Sequence, residues 1–78
     1  MRFGPTDEQR ARIEAAMGPC EFFERYTETE GVVQRLTVGV HAFTAEGRPR
    51  EAQYECAPFE VKMAWNLIAD ACEERPRR

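Results

Sequence analysis

Apolar positions along this chain keep two periods, three to four residues near each end and two residues through the middle. The strongest pattern is the closing segment 58–72, Pro-Phe-Glu-Val-Lys-Met-Ala-Trp-Asn-Leu-Ile-Ala-Asp-Ala-Cys. Wound at about 100° per residue, it gathers Met63, Leu67, Ala71, Ala64, Ile68, Val61, Cys72 and Trp65 into an apolar arc of roughly 200°. A helix resting on one small sheet needs only about half that width. The surplus must meet either the other helix or a second molecule. Trp65 reads as core. Met63 and Leu67, at the opposite edge of the arc, read as a contact with the first helix or with a partner.

The first helix is announced by Thr6 and Gln9, spaced as a capping box, with Asp7 and Glu8 in the turn that the helix dipole favours for acids. Glu8 and Arg12 have the spacing to pair. Gly18-Pro19 ends the helix after Met17, and its apolar stripe is narrow: Ile13, Ala16 and Met17. Between the helices the period falls to two. Residues 20–30 put Cys20, Phe22, Glu24, Tyr26 and Glu28 on one face and Glu21, Phe23, Arg25 and Thr27 on the other, with one of Phe22 and Phe23 inward. Glu30-Gly31 reads as a tight turn. Residues 32–44 are the clearest strand, with Val32, Leu36, Val38, Val40 and Ala42 opposed to Arg35, Thr37, His41 and Phe43, and Gln34 out of place among the first set. Residues 45–49 form a turn by composition, residues 50–56 alternate again, and Pro58 suits a first helical position.

The elements therefore predict an α+β fold: helix, three-stranded antiparallel meander, helix, both helices on one face of the sheet. One domain spans 1–74, and the basic tail 75–78 is expected to be mobile. This order resembles that of double-stranded RNA-binding domains over roughly residues 6–72. In that family a lysine cluster opens the second helix and the first hairpin loop enters a minor groove. Here the corresponding stretches are Pro58-Phe59-Glu60-Val61-Lys62 and Glu28-Thr29-Glu30-Gly31, which would repel phosphate.

Composition narrows the picture. Among 78 residues there are two Leu, two Ile, five Val and five Phe, about 18% of the chain, so the core is thin and association with another chain is favoured. Charge is plentiful at 32%, yet the net value is only −3, which gives no strong pull toward nucleic acid or an anionic membrane. No run approaches the roughly 18 apolar residues of a bilayer span. A soluble, cytoplasmic protein is expected.

Candidate chemistry is sparse. Cys20, Cys56 and Cys72 are widely spaced and read as reduced core thiols. His41, the only histidine, points away from the Leu36/Val38/Val40 face, toward solvent or under Phe43. The five glycines are isolated, so no phosphate loop is formed. No enzyme activity, metal or cofactor is expected. The expectation is a domain that binds another protein, as a stoichiometric inhibitor or adaptor of a larger, nucleic-acid-handling protein. Small phage-encoded blockers of host defence are one style of such protein. Homodimerisation is open, and weak RNA or DNA binding is the alternative. The residues proposed for partner contact are an acidic hairpin (Glu24, Glu28, Glu30), a sheet face (Arg35, Thr37, His41, Phe43) and the helix edge Met63 and Leu67. The alternative for the acidic row is a solvated face that discourages edge-to-edge pairing.

Overall fold

The computed structural model describes residues 1–43 and 49–74. The chain runs α1 (Asp7–Met17), β1 (Cys20–Thr29), β2 (Val32–Phe43), β3 (Pro49–Cys56), a 3-10 turn (Pro58–Glu60) and α2 (Val61–Glu73). Most of the expected turn, residues 45–48, and the tail 75–78 lie outside the described residues. The strands form one antiparallel sheet in the order β1-β2-β3, the meander that short connections impose. Ile13 and Met17 of α1 and Ala64, Trp65, Ile68, Ala69 and Cys72 of α2 join Val33, Leu36, Val38, Val40, Ala42 and Cys56 in one core on one face of that sheet.

Polar groups decide how the helices meet. The capping box is formed: Thr6 Oγ1 accepts from the Gln9 N–H at 3.1 Å, and Gln9 Oε1 accepts from the Thr6 N–H at 2.9 Å. Gln9 is also buried, and its Nε2 donates to the Lys62 carbonyl at 3.0 Å and to Asn66 Oδ1 at 2.9 Å. Every polar atom of that side chain is thus satisfied, as burial requires. Arg12, expected to pair with Glu8, instead crosses to α2, where its guanidinium donates to Asp70 at 2.8 Å and to Glu73 at 2.6 Å. A bidentate carboxylate on another helix offers better geometry than a neighbour on the same one. These contacts seat α1 on the Lys62/Asn66/Asp70/Glu73 side of α2.

Arg12 also holds the Glu73 carboxyl below the usual carboxylate range, chiefly by donating hydrogen bonds to it. Because the folded value is depressed, the stabilisation is present above the ordinary glutamate range and is lost as pH falls through the lowered value. Arg12→Met should therefore lower the urea midpoint at neutral pH. Its difference from the native chain should shrink steadily as the titration is repeated toward strong acid.

Register explains the faces of the sheet. Cys20, Phe22, Glu24 and Tyr26 lie opposite Ala42, Val40, Val38 and Leu36, so this half of β1 faces the helices. Beyond Tyr26 the register shifts, and Glu28 pairs with Val33. β2 therefore spends one residue more than β1 across that gap, a bulge that reverses its alternation. Val33 turns into the core while Val32 is exposed, which corrects the strict alternation placing Val32 beside Leu36 and accounts for the misfit of Gln34. The hairpin closes at Glu30 and Gly31, both with positive φ (52° and 79°), the combination that suits the twist of a two-residue turn.

Phe22 faces inward and meets Trp65 edge-on at 5.9 Å. Trp65 is wholly buried, and its indole Nε1 donates to the Phe3 carbonyl at 2.8 Å. The N-terminal segment is strapped across β1 in this way, with the Phe3 N–H donating to Glu24 Oε1 at 2.7 Å.

Candidate functional site

The nine residues proposed for partner contact fall in three places. Glu24 is half-buried on the helix side, accepting from the Arg2 and Phe3 N–H groups. Glu28 faces the Arg2 guanidinium at 3.4 Å, and Arg2 also lies over the rings of Phe3 and Tyr26. Glu30 lies in the turn rather than in the strand. The three glutamates therefore do not form one free row along a strand face. Alternation in β1 put Glu24 and Glu28 on one face correctly, but it carried no sign that residues 1–3 would fold back over them.

Arg35, Thr37, His41 and Phe43 lie on the sheet face away from both helices. Their register neighbours make that face a grid: Glu21, His41 and Glu51 in one row, Phe23, Gly39 and Gln53 in the next, then Arg25, Thr37 and Glu55. Phe23 lies against Gly39, where a Cβ would sit 2.6 Å from the ring and 2.6 Å from the Ala52 carbonyl oxygen. The Arg25 guanidinium covers Phe23 at 4.8 Å. Phe43 is 62% exposed and meets the His41 ring edge-on at 4.8 Å. Arg35 faces Glu55 at 3.7 Å, and His41 Nδ1 faces Glu51 at 3.9 Å. Aromatic rings and arginines bordered by carboxylates are the composition of protein interface cores. Phe23, Arg25 and Gly39 were missed as part of this surface; an aromatic directly across from a strand glycine is the signal that points to them.

Met63 and Leu67 form a third surface. α1 covers the Lys62/Asn66/Asp70/Glu73 side of α2, about a quarter turn away, so the wide apolar arc is left partly bare. Phe59 is 87% exposed, Met63 54%, Tyr54 44% and Leu67 38%. Phe59, Met63, Leu67 and Ala71 follow one another at four-residue spacing. A shallow groove separates Leu67 and Ala71 from Ala52 and Tyr54 of β3. Of the eight large apolar residues exposed among the described residues, three lie on this ridge and Tyr54 stands across the groove, so this flank is where the apolar surplus concentrates.

The cysteines and the histidine are not assembled for chemistry. Cys56 and Cys72 are buried, while Cys20 is half-buried on the helix side of the sheet. His41, next to Cys20's register partner, projects to the other face. Burial pushes the Cys20 thiol up, with a smaller push from Glu14, which is opposite to the activation a nucleophilic thiolate needs. Among the described residues no cluster of His, Cys, Asp and Glu has the geometry to hold a metal ion. No described helix is long and apolar enough to cross a membrane. The hairpin carries Glu28 and Glu30, and Glu60 stands close to Lys62 at the start of the second helix.

Comparison with protein-family models, with curated proteins and with solved structures gives no match.

Proposed function

We propose that this domain works by occupying the surface of a larger protein, as a stoichiometric inhibitor or adaptor, and that it catalyses no reaction. The observation that carries the reading is the uncovered sheet face, with exposed Phe43 beside His41 and with Phe23 lying under Arg25. Such a face supplies apolar anchors within a polar rim. The opposed placement of Cys20 and His41 further supports binding over catalysis. Fourteen Asp and Glu stand against eleven Lys and Arg in the chain, a modest acidic excess compatible with a basic patch on the partner, as nucleic-acid-handling proteins carry. A small phage-type blocker of host machinery is the biological setting that fits this best.

The test is capture of a partner from a lysate of the encoding host, comparing the native bait with Phe43→Ala/Arg35→Glu. Both side chains are exposed, so the fold is retained; Glu24→Lys would instead break the N-terminal strap and confuse binding with stability. The reading expects one partner at near-equal stoichiometry, reduced at least tenfold with the double variant. Undiminished capture by that variant would contradict it.

A further inference from the structure

We infer that the ridge on α2 and the outer edge of β3 form a two-fold interface with a second copy of this chain. It uses a different surface from the sheet face assigned to the partner.

Two independent spacings agree on one axis, and charge then chooses the register to within a residue of it. Two α2 helices running antiparallel place Met63 against the second copy's Leu67 and Phe59 against the second copy's Ala71. The largest exposed side chain then meets the smallest, and the two medium ones meet each other, as a self-complementary patch requires. The midpoint of that pairing is at Trp65, seven residues or about 10 Å along the helical stretch from Pro58. Three residues back along β3 from Cys56 is also about 10 Å, at Gln53. The helix axis and the strand axis thus fall at the same level, to within a residue.

Separation gives the second agreement. α2 packs on both β2 and β3, so it lies above the space between them. Pairing β3 with its copy at the usual strand spacing puts the two helices about 10 Å apart. Helices with side chains of this size pack at about 8–10 Å.

Charge fixes the register. The Ala52 carbonyl reaches in toward Gly39, so the main-chain groups of Glu51, Gln53 and Glu55 point outward from the edge. A dyad at Gln53 would set Glu51 against the second copy's Glu55 twice. A dyad at Ala52 instead pairs Glu51 with Gln53 and lays Arg50 beside Tyr54, an arrangement that gains a cation–π contact and places no like charges directly opposite. Tyr54, Phe59, Met63 and Leu67 together expose on the order of 400 Å². That is about half of the roughly 800 Å² per partner of a standard interface, and the strand edge adds to it. The resulting sheet has six strands and carries two of the proposed partner-binding faces side by side.

Sedimentation equilibrium of the full chain, from micromolar to submillimolar concentration, tests this. A reversible dimer is expected, weakened at least a hundredfold by Leu67→Glu or Met63→Glu, with thermal melting by circular dichroism confirming that these surface variants remain folded. A half-labelled sample should show an intermolecular methyl NOE between Met63 and Leu67. A native chain that stays monomeric overturns the inference, and so does a dimer indifferent to both substitutions. In either case the sheet-face variant in the capture experiment is still informative, because it leaves the ridge untouched.

Discussion

Trp65→Ala will lower the free energy of unfolding by about 3–5 kcal/mol, the range for emptying a buried tryptophan site. A domain of this length has roughly 4–12 kcal/mol in total, so a large part of the stability goes with one side chain. The indole touches every layer: it lies in α2, packs edge-on against Phe22 of β1 and hydrogen-bonds the Phe3 carbonyl. Few neighbours can close the void in a core this short of leucine. Trp65→Phe separates the two contributions. It keeps most of the packing but loses the hydrogen bond, so it should cost less and selectively free the N-terminal strap. Denaturant titration gives the first quantity, and amide exchange at Arg2 and Phe3 gives the second. Equal protection at those amides in Trp65→Phe would show that the strap is held by Glu24 alone.

Gly39→Ala is the second large effect. A single methyl there meets the Phe23 ring and the Ala52 carbonyl oxygen, each 2.6 Å from the new carbon, and Gln53 at 2.9 Å. The ring can swing aside, but a main-chain carbonyl in the middle of the sheet cannot. A loss of about 1–3 kcal/mol is expected, typical of overpacking, despite alanine's better behaviour in a strand. Phe23→Ala on the same background should recover only part of it, because the carbonyl remains. Full recovery in a double-mutant cycle would mean that the ring alone sets the constraint.

Much of this fold was legible in the pattern of residues. Thr6 with Gln9 marked the start of α1, Gly18-Pro19 its end and Glu30-Gly31 the hairpin. What escaped was set by partners distant in sequence. Gln9 was readable as a cap but not as the side chain that docks α1 onto α2. Arg12 had a plausible local partner and chose two remote ones. Val32 and Val33 are equally suited to either face, and only the bulge in β2 between Val33 and Leu36 decides between them. The breadth of the α2 arc was readable, as was its division between a buried Trp65 and a Met63/Leu67 edge. Which of the two candidate occupants met that edge depended on where α1 came to rest, and α1 rests elsewhere.

If the surfaces left bare by this fold are where it acts, the ridge and the adjoining β3 edge should be covered in solution. Hydrogen exchange of the outward amides of Glu51, Gln53 and Glu55, followed at high and low protein concentration, reports on that directly. The expected result is exchange that slows markedly as concentration rises, while outward amides on the opposite edge, β1, stay fast. Exchange at the rate of an open strand edge at every concentration would contradict it.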